Sequence, residues 1–412
     1  MRFCVLTLGC RANQADSFRL EEGLCGLGHE PASRLAAELV VVNTCAVTAA
    51  AERSGRQLVG RVARENPTVR IAVTGCSATR RPERYARAAK VVAVVPNGDK
   101  PRLAAALHLP EGGGGEFALQ GPGTRGRTIY PLQVQTGCGE RCSYCVVPAT
   151  RGPSVSRPLD AITADARRLS AAGYREVVLT GVHLGAWGRD LAPRRALDEL
   201  LAALDGLPGD LVFRLSSLEP MDCTPGIIER VAASRGRFAP HFHLPLQHAS
   251  DAVLSAMRRP YTLDAFRRLV DRVDSRMPGA AIGTDVMAGF PGETAADAAR
   301  LEQTLEDLPL SYAHVFAYSD RPGTEAAARR PKVPAGEVRQ RAHRLREQAD
   351  ALRRRFEATQ VGTVRPALTL ADGSVALTDN YLKVGIPPGR RRNERVRVHV
   401  GSRGPLRGEV VP

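Results

Sequence analysis

Three cysteines, Cys138, Cys142 and Cys145, lie in the stretch TGCGERCSYC, with three and then two residues between them. Three thiols within eight residues are not explained by apolar packing. A closed structural zinc site takes four ligands, usually as two paired knuckles. Three thiolates without a fourth suit an ion or cluster that keeps one coordination position open. In an iron–sulfur cube that position is an iron free to bind substrate or cofactor. Two competitors are weaker. A redox pair made of CSYC leaves Cys138 without a purpose, and a three-cysteine zinc site needs a fourth ligand, for which the solvent-facing Glu140 is a poor candidate.

A second trio is spread out along the chain. FCVLTLG ends at Cys10, LVVVNT at Cys45 and RIAVTG at Cys76. Each apolar run reads as a strand, and each is followed by a polar, helix-like segment such as VTAAAERSGRQLVGRVARE. Repeated strand–helix units imply a parallel sheet with right-handed crossovers. The strands' carboxyl ends then share one edge, where ligands bind. The sequence thus predicts an N-terminal α/β domain over 1–109 with Cys10, Cys45 and Cys76 converging on a metal. Cys4, Cys25 and Cys223 fit neither trio and read as packing residues.

The glycine-rich segment 110–128 is expected to be a linker. From 129 the alternation resumes, with strand candidates YPLQVQT, EVVLTG, LVFRLSS, PHFHLPL, AAIGTDVMAG and YAHVFAY. Six strands in about 200 residues point to a partial (β/α)6 barrel over 129–358, with chemistry on the loops after the strands. The helix expected at 334–358 carries an apolar stripe through Val338, Leu345 and Leu352, with arginines on its other faces. Residues 359–412 change to short strands separated by turns, a small β-barrel with a basic loop at Arg390, Arg391 and Arg392.

The 412 residues carry a net charge of +15. Arginine richness alone does not explain the excess of cations over acids, so a polyanionic partner is favoured, nucleic acid above membrane. No apolar run is as long as a membrane span. The opening MRFCVLTLGCRANQ has no basic region followed by a long apolar stretch, so no signal peptide is expected. A cytoplasmic location follows, where the nine cysteines stay reduced.

CGERCSYC is the CxxxCxxC pattern of radical S-adenosylmethionine (SAM) enzymes. With Cys10, Cys45 and Cys76 upstream, the chain resembles the radical SAM methylthiotransferases over essentially its full length. The similarity runs through LGCRANQADS, VVNTCAVT, VTGCSA, CSYCVVPATRG, PLQHASDAVLSAMRRPYT, IGTDVMAGFPGET and FAYSDRPGTEAA. It ends at TDNYLKV, within a tail that resembles the RNA-binding TRAM domain. PLQHAS replaces the usual PLQSGS, and the tail is unusually rich in arginine.

The resemblance implies two [4Fe–4S] clusters and SAM. Cys138, Cys142 and Cys145 would be the catalytic trio, holding the cluster that cleaves SAM to a 5′-deoxyadenosyl radical. Cys10, Cys45 and Cys76 would hold an auxiliary cluster that delivers sulfur, and a second SAM would supply the methyl group. Tyr144, Gly181, His183, Glu219, Gln247 and Asp285 are carried over as SAM contacts. For Glu219, Gln247 and Asp285 a helix cap or an arginine pair is the alternative. Arg151 would offset thiolate charge or meet phosphate. His241 and His243 share a strand face and read as a hydrogen-bonding pair inside the barrel, with metal binding as the alternative.

Among the family's branches, TGVHLGAWG, LGCRANQADS and RLSSLEP resemble the enzymes of threonylcarbamoyladenosine in tRNA. His183 and Trp187 would then face SAM or the modified base, unless Trp187 packs the loop and His183 serves a backbone group. The expected substrate is N6-threonylcarbamoyladenosine at tRNA position 37, methylthiolated at C2. The alternatives are isopentenyladenosine in tRNA, an aspartate of a ribosomal protein, or a non-catalytic zinc-containing RNA-binding protein. An electron donor such as flavodoxin or ferredoxin is implied, and a monomer is expected.

Overall fold

The computed structural model describes residues 1–109, 121–123, 127–402 and 406–412. Most of the expected linker lies outside them. The chain forms two compact units: Met1–Gln120 with Pro131–Glu140 and Cys145–Val155, and Gly121–Tyr130 with Arg141–Tyr144 and Ser156–Pro412. The division therefore falls inside the cysteine loop rather than at 109 and 129, and the C-terminal strands share a unit with the barrel.

The first unit is built on β1 (Arg2–Thr7), β2 (Glu30–Pro31), β3 (Leu39–Thr44), β4 (Arg70–Gly75) and β5 (Val91–Val95). They form a parallel sheet of order β2-β1-β3-β4-β5. Every residue of β3 is buried, because helices cover both faces of a parallel sheet and its central strands read as continuous apolar runs. Val40, Val42, Ile71 and Val73 pack on one face with Val59 and Val62. Phe3, Val5, Leu39 and Val41 pack on the other with Leu24 and Leu103. Fully burying side chains of this size stabilises by about 1.5–3 kcal/mol each. The helix Ala49–Glu65 is started by Thr48, whose hydroxyl accepts from Ala51 N at 3.0 Å, with Glu52 in its first turn.

β6 (Tyr130–Gln133) and β7 (Gln135–Thr136) lead into the cysteine loop, and β8 (Val155–Ser156) follows it. The second unit continues with β9 (Glu176–Thr180), β10 (Val212–Leu215), β11 (His241–His243), β12 (Ala281–Ala288) and β13 (Tyr312–Ala317). β9 and β10 pair in parallel, as do β11, β12 and β13. Parallel bridges Phe213↔Phe238 and Ser217↔His243 connect the two groups. Helices with Thr224, Thr262 and Thr294 as N-caps return the chain between strands. The helix expected at 334–358 spans Ala335–Gln360, with Val338, Ala342, Leu345 and Leu352 buried. Arginines of this helix pair with acids of the preceding elements: Arg341 with Glu293 at 2.8 Å, buried, and Arg344 with Glu302 at 2.8 Å, at the surface.

β14 (Val364–Leu370), β15 (Val375–Thr378), β16 (Lys383–Gly385), β17 (Arg395–Ser402) and β18 (Arg407–Val411) close a barrel of order β14-β15-β16-β18-β17. Its β15–β16 turn seats on the amino-terminal ends of the larger barrel's strands. Tyr381, at φ +73°, stacks on His241 with centroids 4.4 Å apart, and the Arg214 guanidinium lies 5.2 Å from its centroid. Arg214 is fully buried, paired with Glu176 at 2.7 Å, and donates to the carbonyls of Asp379 and Thr378. Asn380 donates to Gly279 O at 2.9 Å.

Candidate functional site

The upstream trio sits where the sheet predicts. Cys45 follows β3 directly, Cys76 follows β4 directly, and Cys10 lies three residues past β1 as the N-cap of the helix Arg11–Gly26. Two glycines let the loops close in. A Cβ at Gly9 (φ +97°) would fall 2.5 Å from Cys45 Sγ, and one at Gly75 (φ +98°) 2.2 Å from Thr44 O. Only glycine tolerates both that conformation and that approach. Asn13 ties the loops together, donating to Leu8 O at 2.7 Å and Thr44 O at 2.9 Å.

The sulfurs are met by N–H donors: Val47 N to Cys45 Sγ and Asn97 Nδ2 to Cys76 Sγ, both at 3.4 Å. Burial pushes the Cys45 thiol up to about 11; the Val47 amide opposes this, and neighbouring Cys10 and Cys76 add to it. Three neighbouring cysteines whose thiolates repel one another, two of them receiving N–H bonds, form a donor set suited to a cation or a cluster.

The downstream trio is furnished in the same way. Glu140 N reaches Cys138 Sγ, Val147 N reaches Cys145 Sγ, and Arg259 Nη1 reaches Cys142 Sγ, each at 3.4 Å. Arg259 is itself held by a close ion pair with Glu219 and by Tyr261 Oη at 2.8 Å. Burial works against the charge on Arg259, but Glu219 and its neighbours outweigh it and raise the pKa. Next to Cys142, Ser143 anchors the loop by donating to Ala256 O at 2.8 Å, and Tyr144 packs edge-on against Phe290. Burial drives the Tyr144 phenol well above its ordinary value. N–H···S bonds and nearby charge are how a protein sets the potential of a thiolate-bound cluster, so both trios fit [4Fe–4S] ligation.

Residues 2–96 match the group described as Uncharacterized protein family UPF0004, and residues 132–305 match the Radical SAM superfamily. The chain is 33% identical over 398 residues to the threonylcarbamoyladenosine tRNA methylthiotransferase MtaB of Aquifex aeolicus, covering 93% of this chain and 96% of that one. It belongs to the radical SAM methylthiotransferases.

Other members are as similar. The tRNA-2-methylthio-N(6)-dimethylallyladenosine synthase of Chloroflexus aurantiacus is 33% identical, with coverage of 100% and 88%. The ribosomal protein uS12 methylthiotransferase RimO of Salinispora tropica is also 33% identical, with 91% and 85%. In fold, the chain resembles the radical SAM methyltransferase TsrM of Kitasatospora setae, with a TM-score of 0.57, 16% identity and coverage of 79% and 75%. The chain is therefore a sulfur-transferring radical SAM enzyme, and the non-catalytic zinc reading falls.

Within this methylthiotransferase the remaining expected residues fare unequally. Glu219 and Tyr144 lie beside Cys142, as described. Gly181 follows β9, half-buried. His183 is buried and bonded through Nε2 to Asp222 at 2.6 Å, and Asp222 also binds Arg189. Trp187 is fully buried and donates to Arg157 O at 3.0 Å, so it packs its loop and does not face a base.

Gln247 (φ +67°) joins its loop to β12 through backbone bonds with Asp285 and Met287. Asp285 accepts from His243 at 2.9 Å and His314 at 3.1 Å; together these outweigh burial and hold its carboxyl well below the ordinary range. His241 and His243 share the Tyr312 hydroxyl, at 2.7 and 3.1 Å, the hydrogen-bonding role read for them. In the small barrel Arg390 and Arg391 are exposed, whereas Arg392 donates to the carbonyls of Ala371 and Gly123. Cys4 and Cys223 are buried and Cys25 partly so, consistent with packing.

Sequence reasoning assigned no role to Arg259, Tyr261, Asn13, Asp16, Asn97 or Lys100. Arg259 and Tyr261 stood in MRRPYT, and Asn13 and Asp16 in LGCRANQADS, three and six residues past Cys10 on a helix. Asn97 and Lys100 carried no signal at all.

Proposed function

We propose that this enzyme adds a methylthio group to C2 of N6-threonylcarbamoyladenosine at position 37 of tRNA, using two [4Fe–4S] clusters and SAM. The observation that carries this reading is the pair of cysteine trios, each on its own loop system and each with N–H donors aimed at sulfur. Bound there, one cluster with SAM would supply radical chemistry and the other would supply sulfur. The protein's own contribution is positional. Arg259 and Glu219 fix the Cys142 side of the open cluster, and Tyr144 and Phe290 wall it with apolar surface that excludes water.

The choice of substrate is supported by the TGVHLGAWG loop, by relatives named for threonylcarbamoyladenosine at 30–34% identity, and by a net charge of +15 with Arg390 and Arg391 exposed. The polyanion supplies such a surface with its partner. A low-potential donor such as flavodoxin or ferredoxin would deliver electrons, and the reaction would take place in the cytoplasm.

The test is mass spectrometry of tRNA nucleosides from cells lacking the gene and from the same cells with it restored. Loss and return of the methylthio group on threonylcarbamoyladenosine is expected. A change confined to isopentenyladenosine would refute the substrate while leaving the chemistry intact. No change in either would turn attention to the ribosomal-protein aspartate.

A further inference from the structure

A buried charge cluster stands beside Cys10, Cys45 and Cys76. Its centre is the Asp16 carboxylate, which takes Lys100 Nζ at 2.5 Å and Arg151 Nη2 at 2.8 Å on one oxygen and Gln133 Nε2 at 2.8 Å on the other. The Asp16, Lys100 and Arg151 side chains are each less than 10% exposed. Two buried cations share one carboxylate, so the group carries one surplus positive charge. Buried charge without a partner is costly, and here the groups of opposite sign at hand are the thiolates.

The contacts point the same way. The Arg151 guanidinium also donates to Asn13 Oδ1 at 2.6 Å, and Asn13 in turn binds the carbonyls next to the Cys10 and Cys45 loops. Asn97 donates both to Cys76 Sγ and to Thr150 O at 2.8 Å, the residue before Arg151. Cys76 and Cys10 both act on Arg151, raising its pKa against the opposing effect of burial. Arg151 ends the short helix that follows Cys145, yet its side chain serves the other trio.

We propose that Arg151 is a positioning residue of the auxiliary cluster: pinned by Asn13 and Asp16, its guanidinium supplies the surplus positive charge that offsets the Cys10, Cys45 and Cys76 thiolates and raises that cluster's reduction potential. This inference rests on the two-cluster reading above. Net charge and donors around the sulfurs set such potentials, and Arg is the cation best suited to stay charged and fixed when buried.

The experiment uses the full chain with Cys138, Cys142 and Cys145 replaced by alanine, reconstituted anaerobically, so that the auxiliary cluster alone is read. An EPR-monitored redox titration of this chain is compared with the same chain carrying Arg151→Met, Arg151→Lys or Lys100→Met. The midpoint should move to more negative potential in Arg151→Met and in Lys100→Met, each of which removes one positive charge. Arg151→Lys should stay near the parent, because the charge is kept. If Arg151→Met fails to hold iron, Lys100→Met and Arg151→Lys still decide the matter. A cluster present in all four chains with an unmoved midpoint would overturn the charge assignment and leave the two-cluster reading standing. A parent chain that bound no iron would overturn both.

Discussion

Replacing Gly75 by alanine tests how the upstream trio is assembled. Gly75 closes β4 at φ +98°, immediately before Cys76, and an added Cβ would lie 2.2 Å from Thr44 O, 2.4 Å from Thr44 N and 2.7 Å from Asn43 Oδ1. At φ +98° and ψ −178° the backbone lies in a region that is essentially glycine's alone, which costs an alanine about 1–3 kcal/mol. The overlap is with backbone locked in the β3–β4 pairing, so no rotamer relieves it, and overpacking adds about 1–3 kcal/mol. Together these reach about 2–6 kcal/mol, a factor of roughly tens to ten thousand or more in the local equilibrium. Against a total stability of about 5–15 kcal/mol, that opens the Cys45–Cys76 loops before it unfolds the chain.

Iron content after anaerobic reconstitution should fall from about eight to about four atoms per chain, and hydrogen exchange over 70–76 should quicken. Reductive SAM cleavage at the Cys138–Cys142–Cys145 loop should persist. Gly98→Ala is the control. Nothing lies within 4 Å of a Cβ there, and the change should stay within about 0.5 kcal/mol. A Gly75→Ala chain with full iron and unaltered exchange would refute the convergence argument.

Asp16 is held at about 2 from 3.8, its two cations outweighing burial. A carboxylate with a depressed pKa stabilises the fold above pH 4 and loses that contribution as pH falls from about 4 to 2, here about 2 kcal/mol. Urea unfolding of the metal-free chain across that window should show the loss, and Asp16→Asn should abolish this part of the pH dependence. Arg259→Lys keeps a charge but loses the fork that binds Cys142 Sγ and Glu219 together, so SAM cleavage or cluster affinity should drop about 10–100-fold. Wild-type rates with full iron would rule out that role. Arg390→Ala and Arg391→Ala should each weaken tRNA binding and lower the salt slope by about one, whereas Arg392→Ala should act first on thermal stability, because its guanidinium is spent on two carbonyls. Equal salt slopes in all three variants would contradict the distinction.

What the sequence revealed was whatever repeats with a period or a spacing. β1, β3 and β4 were readable because a buried parallel strand is an unbroken apolar run, and the position of each cysteine after its strand followed from topology alone. The CxxxCxxC spacing was equally direct. The sequence did not reveal that Arg151 leaves its own loop to serve the other trio, because the residues that capture it, Asn13 and Asp16, meet it only through tertiary packing. Trp187 was open in the sequence between a ligand contact and packing of its own loop; its indole N–H is satisfied by Arg157 O and the ring is sealed in, which is the packing alternative. His183, in the same loop, is likewise claimed by Asp222, a partner 39 residues away.

The turn at Tyr381 changes what the C-terminal barrel is. Removing it would strip the stacked ring from His241 and the capping carbonyls from Arg214, leaving a buried cation open at the base of the catalytic barrel. The tail is thus a stopper as well as an appendage. Trimming the chain to the larger barrel would uncover this cation, and exchanging the C-terminal barrel for another would succeed only with a replacement that brings the same stopper.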